Sequence, residues 1–154
     1  YSRTAYVFDG YWKNPEKTAE AFHGDWCSVG DMARRDADGF IHLVDRKSNM
    51  IISGGENIYP SEVEAILGQH EQVKDVAVIG LPHDKWGEAV HAVVVLHHGQ
   101  SLTQDALIDW CRDRMAGYKR PQSIRFVSDA DMPRTATGKI LHRILRDQMT
   151  TAAA

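Results

Sequence analysis

Long apolar runs, paired cysteines and an excess of basic residues are all missing from this 154-residue sequence. No apolar stretch approaches the roughly 20 residues of a membrane-spanning helix, and no signal sequence is visible. The two cysteines, Cys27 and Cys111, lie far apart without the CxxC spacing of zinc or redox sites, so we expect free thiols in a cytoplasmic protein. The net charge of −3 argues against nucleic acid as a partner, because phosphate requires a basic surface.

Several catalytic signatures are absent as well. The eight histidines show no metal-ligand spacing. A strand would direct the neighbours His97 and His98 to opposite faces, and no His-Glu-x-x-His occurs, so we expect no metal bound by this chain. No Gly-x-Ser-x-Gly is present, which removes the usual hydrolase elbow. The Gly-Lys pair at 138–139 lacks the length and the preceding strand of a phosphate loop.

The first part of the chain contains clear signals for a helix and a hairpin. Asn14 followed by Pro15 predicts a helix that runs to about residue 22. A short extended segment is expected at 26–31. The Asp-Ala-Asp-Gly at 36–39 predicts a hairpin turn, and a strand should follow at 40–44.

From residue 46 onward the order is a short hairpin, a helix, two strands, a helix, a strand and a helix. We predict a small α+β domain with a central sheet of about three strands and its helices on one face. The predicted strands lie at 50–52, 73–81, 89–96 and 123–127, with a loop at 82–87. The predicted helices begin at Pro60, follow Thr103 as far as residue 115, and occupy 140–148. We expect two domains, 1–45 and 46–150.

Two segments have residue types suited to binding a ligand, and each also has an ordinary explanation. Asp31, after Gly30 on a turn, can accept hydrogen bonds from a ribose diol, or can cap its own backbone. The Ser-Gly-Gly-Glu-Asn at 53–57 lets a backbone approach a ligand closely, but a plain connection between strand and helix has the same spacing. Glu56, Glu62 and Glu64 disfavour phosphate there.

A third segment is the Pro-Arg-Thr-Ala-Thr-Gly-Lys at 133–139. A lysine on a loop of small residues can bring a point charge to a carboxylate or a phosphate and withdraw again. The alternative is a solvated surface lysine, which describes most lysines.

Taken in order, these segments resemble the C-terminal end of the acyl-CoA synthetases, a branch of the adenylate-forming, AMP-binding superfamily. The resemblance extends from Gly10 to about Asp147. It rests on Gly-Asp at 30–31, Asp-Arg-Lys at 45–47, Ser-Gly-Gly-Glu-Asn-x-Tyr-Pro-Ser-Glu-x-Glu at 53–64, Trp-Gly-Glu at 86–88, Tyr-Lys-x-Pro at 118–121 and Pro-Arg-Thr-x-x-Gly-Lys at 133–139. Each motif is weak by itself, but the ordered set is specific.

The resemblance implies a reaction in two steps. A carboxylate attacks the α-phosphate of ATP to form an acyl-adenylate, and coenzyme A then displaces AMP to form a thioester. In this family a large N-terminal domain carries the phosphate loop and the acyl pocket, and with them most of the contacts to ATP and Mg²⁺. A small C-terminal lid rotates between the two steps. The resemblance makes residues 1–45 the tail of that large domain and 46–150 the lid.

The resemblance also assigns roles to single residues. Lys139 corresponds to the catalytic lysine of adenylation, and Asp31 with Arg46 to the residues at the ribose of ATP. Ser48 falls at the hinge, where Asp or Lys is common. The coenzyme A positions are Gly54, Gly55, Trp86, Tyr118 and Arg120. The chain departs from the pattern before Asp31, where Ser28 and Val29 replace the usual basic residue and Thr.

Other functions remain open at this stage. An adenylating enzyme with a different acceptor, or a binding module of the same fold without activity, would share much of this sequence. Fatty, aryl and other carboxylic acids are equally compatible, because the residues that select the acid lie outside these motifs. The abrupt start at Tyr1, without an initiator Met, leads us to expect a fragment. Because the phosphate loop and the acyl pocket of the family are not in this sequence, we expect the fragment to be inactive alone.

Overall fold

The computed structural model describes the backbone of residues 1–153 and the side chains of residues 1–151. The chain forms two compact units, Tyr1–Ser48 and Asn49–Ala154. The division lies close to the domain boundary expected between residues 45 and 46.

The first unit contains one helix and two small antiparallel pairs of strands. Helix α1 (Pro15–Ala21) begins at Asn14, whose side chain accepts a hydrogen bond from the backbone N–H of Lys17 at 3.0 Å. Strands β1 (Phe22–His23) and β2 (Trp26–Cys27) form one pair, and β3 (Asp31–Arg35) and β4 (Ile41–Arg46) form the other. Both the predicted helix start and the predicted hairpin turn are confirmed.

The first unit buries little apolar surface. Within residues 1–48, the buried apolar side chains are those of Ala21 and Cys27. A larger set of aromatic and aliphatic side chains is exposed, comprising Tyr1, Tyr6, Phe8, Trp12, Trp26, Val29, Phe40, Ile41 and Leu43. Exposed apolar side chains that form a contiguous patch are typical of a surface that another protein segment covers.

The second unit is built on one mixed sheet. A long hairpin of β7 (Val73–His83) and β8 (Gly87–Leu96) forms its centre, and β9 (Ser123–Phe126) pairs with β8 in parallel. A short hairpin of β5 (Ile51–Ser53) and β6 (Glu56–Ile58) joins the same sheet through the pairing of Ser53 with Gly87. The predicted α+β class, with a short hairpin beside three principal strands, is confirmed.

Helices cover both faces of this sheet, so the prediction that they share one face is wrong. Helices α2 (Pro60–Leu67) and α3 (Gln104–Trp110) contribute Val63, Leu67 and Leu107 to one core. Helix α4 (His142–Ala153) contributes Leu145 to a second core, which includes Met132. Alternate residues of β7 and β8 enter the two cores. Their nearly continuous apolar runs indicate a strand that is buried on both faces.

Some predicted bounds are also wrong. Residues 82–83 belong to β7 rather than to a loop, because Pro82 pairs with Glu88 on an edge strand, where a missing N–H is tolerated. Helix α3 ends at Trp110 rather than at residue 115, and separate turns follow it. Its predicted N-cap is confirmed, since the Thr103 side chain accepts from the Ala106 N–H. Helix α4 begins at His142, two residues later than expected.

Candidate functional site

Asp31 and Arg46 lie opposite each other at the open end of the β3–β4 hairpin. They are partners in the strand register, and Arg46 Nε is 3.1 Å from Asp31 Oδ1. Gly30, with φ of 81°, directs the chain into β3, and its carbonyl accepts from the Lys47 N–H at 2.8 Å. The two residues that the family resemblance assigns to a ribose are therefore adjacent, with a carboxylate acceptor beside a guanidinium donor.

Ser48, the residue expected at a hinge, is the last residue of the first unit. It lies in a 3-10 turn (Lys47–Asn49) that directly follows β4. It also lines an open cleft of about 760 Å³ together with Gly30 and Arg46. Ser48 thus occupies the point in the chain at which one compact unit ends and the next begins.

Gly54 and Gly55 form the two-residue turn between β5 and β6. Their φ angles are 60° and 88°, as in the turns that match the twist of a hairpin. The Gly54 N–H donates to the Trp86 carbonyl at 2.9 Å, and a Cβ on Gly54 would lie 3.0 Å from Cε3 of Trp86. Apart from Gly55 and its two chain neighbours, no heavy atom of the described residues lies within 4 Å of the position that a Cβ on Gly55 would take. The structure therefore brings Gly54 and Trp86 into contact and leaves Gly55 facing open space.

Tyr118 lies within a 3-10 turn (Gly117–Lys119), and Arg120 directly follows that turn. Between them, Lys119 donates to Glu62 at 2.6 Å, and this hydrogen bond is the main cause of the raised pKa of Lys119. The phenol ring of Tyr118 is half exposed. In the described part of the chain, no hydrogen bond, ion pair or ring contact joins Tyr118 or Arg120 to Trp86.

Lys139 is exposed on a hairpin-like loop of residues 134–140, which we call the Lys139 loop. Thr135 and Lys139 bond to each other twice across it, from Thr135 N to the Lys139 carbonyl at 2.8 Å and from Lys139 N to Thr135 Oγ1 at 3.1 Å. Gly138 provides the positive φ of 86° that the turn requires. Within residues 1–153 the Lys139 ammonium has no ion pair, so the backbone is held while the charge remains available.

Glu64, His142 and Arg134 anchor these segments, although the sequence indicated no role for any of them. Glu64 Oε1 accepts from the Val78 N–H at 2.8 Å and lies 2.6 Å from His142 Nε2, which joins α2 to β7 and to the start of α4. Arg134 bonds to Asp75 at 2.6 Å. The available signal was the position of His142 and Arg134 near Lys139, but only the folded chain identifies their partners.

Neither a metal site nor a membrane span is found in the described part of the chain. No group of three or more His, Cys, Asp or Glu side chains there is arranged to hold a metal ion. Among the helices of residues 1–153, none combines the length and the apolar character needed to cross a membrane.

Comparison with known proteins decides the family. The family described as AMP-binding enzyme C-terminal domain matches residues 62–139. The match begins at Glu62 on α2 and ends at Lys139. The chain belongs to this family. Asp31, Arg46, Gly54 and Gly55 precede the matched residues, whereas Trp86, Tyr118, Arg120 and Lys139 lie within them.

Relatives of this AMP-binding C-terminal domain are adenylate-forming enzymes. A 2-succinylbenzoate–CoA ligase of Geobacillus kaustophilus is 46% identical over 140 residues, which are 91% of this chain and 28% of that protein. The structure of ATP-bound MatB from Rhodopseudomonas palustris matches 96% of this chain and 29% of that one, with a TM-score of 0.86 and 34% identity. The amide bond synthetase McbA from Marinactinospora thermotolerans matches 96% and 30%, with a TM-score of 0.83 and 35% identity.

The chain spans between a quarter and a third of the length of these relatives. The resemblance to the acyl-CoA synthetases is thereby confirmed at the level of the family, and so is the class of fold.

Proposed function

We propose that this chain is the C-terminal part of an ATP-dependent acyl-CoA ligase, with the lid and the end of the preceding domain. The parent enzyme activates a carboxylic acid as an acyl-adenylate and transfers the acyl group to coenzyme A. The observation that carries the proposal is Lys139, an exposed and unpaired lysine among the described residues, on a hydrogen-bonded loop at the end of the family match.

Lys139 serves the first half-reaction. Negative charge increases on the attacking carboxylate and the α-phosphate as they meet, and an ammonium at that point stabilises both. Lysine suits this task because its charge is compact and its four-carbon stem is flexible. Its role is to orient and to stabilise charge, and no proton transfer is required of it.

Asp31 and Arg46 hold the nucleotide. The Asp31 carboxylate accepts hydrogen bonds from the ribose hydroxyls, and Arg46, already 3.1 Å away, orients that carboxylate and adds a donor. Ser48 serves as the hinge at the end of the first unit.

The residues of the β5–β6 turn and of the segment 118–120 serve the second half-reaction. Gly55 faces open space, so the pantetheine arm of coenzyme A can pass along the backbone there. Trp86 and Tyr118 offer exposed rings to the nucleotide part of coenzyme A, and the Arg120 guanidinium suits its phosphates.

The main partner of this chain is the N-terminal domain of its own parent protein. The exposed apolar side chains of residues 1–48 are the surface which that domain covers. We assign the acyl pocket, Mg²⁺ and most contacts to ATP to the same domain, and we expect a cytoplasmic location for the whole enzyme. The 154-residue chain alone should catalyse neither half-reaction.

The test is Lys139→Ala in the full-length parent, with each half-reaction assayed separately. Pyrophosphate exchange into ATP should fall by about 10²–10³-fold, the usual cost of removing a charge-stabilising group. Thioester formation from a supplied acyl-adenylate should continue. Lys13→Ala, a change to an exposed lysine of the first unit, is the matched control. Equal rates for Lys139→Ala and Lys13→Ala in both assays would refute the assignment.

An adenylating enzyme with a different acceptor is the second candidate. It is favoured by the similarity to the amide bond synthetase McbA over 96% of this chain. The parent enzyme, given an acyl-adenylate with either coenzyme A or a primary amine, distinguishes the two. A thioester product supports the ligase, and an amide formed faster than the thioester supports the alternative. A binding module without activity would form neither.

A further inference from the structure

Arg134 connects the Lys139 loop to the sheet. Its Nη2 lies 2.6 Å from Asp75 Oδ2 on β7 and 3.2 Å from Asp129 Oδ1, and its Nη1 donates to the Gly138 carbonyl at 3.3 Å. The Arg134 side chain is 27% exposed. One side chain thus joins a strand, a neighbouring turn and the peptide group just before Lys139.

The charges around Arg134 balance. Asp129 lies in a 3-10 turn (Asp129–Asp131) and also accepts from Lys74 Nζ at 2.7 Å, so two cations and two carboxylates alternate along the surface. Hydrogen bonding to Asp75 raises the pKa of Arg134, and the bond from Lys74 lowers the pKa of Asp129. Within this network the two cations therefore balance the two carboxylates.

The bonds within the Lys139 loop transmit this anchoring to Lys139. Thr135 follows Arg134 and bonds twice to the backbone of Lys139, while Arg134 itself holds the Gly138 carbonyl. A small number of hydrogen bonds therefore connects the backbone at Lys139 to β7. Among the residues that make these bonds, Arg134 is the charged one. Among the described residues, the Lys139 side chain itself makes no hydrogen bond or ion pair.

We propose that Arg134 is a positioning residue for adenylation: its bonds to Asp75, Asp129 and Gly138 hold the Lys139 loop so that the Lys139 ammonium meets the reacting groups. The proposal rests on the proposed role of Lys139. A displacement of about 1 Å in a positioned group can cost about 10²-fold in rate. Ordinary surface ion pairs have no such effect, because they contribute little even to stability.

The activity test uses Arg134→Met and Arg134→Lys in the full-length parent. Arg134→Met should lower kcat for adenylation by roughly 10–100-fold with little change in KM for ATP. Thioester formation from a supplied acyl-adenylate should stay within about 2-fold of wild type, since that half uses another face of the lid. Arg134→Lys should recover only part of the loss, because an ammonium lacks the fork that reaches several acceptors.

The matched control is Arg112→Met, which removes an exposed ion pair with Asp109 at 2.7 Å on the same unit. Its kinetics should equal those of wild type. Equal losses in both half-reactions for Arg134→Met would reduce Arg134 to a general structural role and overturn the proposal. Wild-type adenylation in Arg134→Met would also overturn it.

A second measurement does not depend on activity. Trypsin cuts after Lys139, and brief digestion followed by mass spectrometry reports how often the Lys139 loop opens. Cleavage after Lys139 should be roughly 5-fold faster or more in Arg134→Met, the factor that about 1 kcal/mol gives. It should be unchanged in Arg112→Met, and unchanged cleavage in Arg134→Met would show that no anchoring exists.

Lys139→Ala, assayed beside these variants, separates the two hypotheses. If Lys139→Ala retains adenylation while Arg134→Met accelerates cleavage, the anchoring is real and the proposed function fails. If Lys139→Ala abolishes adenylation while Arg134→Met changes neither rate nor cleavage, the function stands and the positioning role fails.

Discussion

Gly54 and Gly55 are neighbours in one turn, but their surroundings differ. A side chain on either would have to adopt a positive φ, which costs about 1–2 kcal/mol for an L-residue. At Gly54 it would also press on the ring of Trp86, at 3.0 Å. At Gly55 it would meet no described atom within 4 Å beyond those of the adjacent residues in the chain.

We therefore expect Gly54→Ala to lower the free energy of unfolding by about 2–3 kcal/mol and Gly55→Ala by about 1–2 kcal/mol. Urea unfolding of the 154-residue chain, followed by circular dichroism, provides the comparison. In the parent enzyme, Gly55→Ala should slow thioester formation more than adenylation. A larger loss of stability in Gly55→Ala than in Gly54→Ala would contradict the contact with Trp86.

His91 is a buried histidine on β8. Its Nδ1 lies 2.7 Å from Ser123 Oγ, and its Nε2 has no hydrogen-bond partner in the described part of the chain. Burial is the main cause of its lowered pKa, and the positive charge of Arg125 contributes. The folded chain therefore resists protonation of this ring more than the unfolded chain does.

The lowered pKa of His91 makes the stability of the folded chain depend on pH. Below the ordinary His pKa of about 6.5 the unfolded chain binds the proton that folded His91 refuses, so stability falls as pH decreases from about 7 to 5. His91→Gln should flatten this dependence. Thermal unfolding of both proteins at several pH values tests it, and equal slopes would mean that His91 is not the group responsible.

At the scale of elements, helix α2 carries two carboxylates, Glu62 and Glu64, which differ in burial and in their partners. Glu64 satisfies a backbone N–H on the edge strand β7 and pairs with His142, and both of its partners are largely buried. Glu62 pairs with Lys119 and is itself 48% exposed. Losing a buried acceptor costs more than losing a surface ion pair.

Glu64→Ala should therefore lower the free energy of unfolding by about 1–3 kcal/mol, and Glu64→Gln by less, because its amide oxygen still accepts. Glu62→Ala, on the same helix, should cost about 0–1 kcal/mol. Urea unfolding measures all three. Equal costs for Glu62→Ala and Glu64→Ala would show that the bond to the Val78 N–H is unimportant.

The elements themselves are largely readable from sequence. Asn14 with Pro15, the Asp-Ala-Asp-Gly turn and Thr103 are local signals, and each has the predicted bond or turn in the structure. The predictions of strand bounds and of helix placement are wrong where tertiary contacts determine the structure. Pro82 joins a strand because it lies on a free edge, and the helices divide between two faces because β7 and β8 are apolar on both.

At the scale of the whole molecule, the apolar cores belong to the second unit. Every residue of both core clusters lies between Ile51 and Met149. We expect a fragment of residues 49–154 to fold by itself, with a cooperative urea transition and protected amides in β7 and β8. Loss of cooperativity on removal of residues 1–48 would show that the first unit supports these cores.

The candidate site is less readable from sequence than the fold. Motif order predicts which residues form the site, and the pairing of Asp31 with Arg46 follows from the hairpin register. The partners of Arg134 and Glu64 are distant in sequence. Asp75 is 59 positions from Arg134, and His142 is 78 positions from Glu64. Only the folded sheet brings such residues together.

The mixed pairing around β8 has a consequence for how the second unit folds. The β7–β8 ladder closes through a short connection, whereas β9 reaches β8 only after a crossover through α3. Local contacts form with less loss of chain entropy than distant ones. We expect the hairpin to be structured in the folding transition state, so that Val78→Ala slows refolding while Ile124→Val mainly accelerates unfolding in stopped-flow experiments.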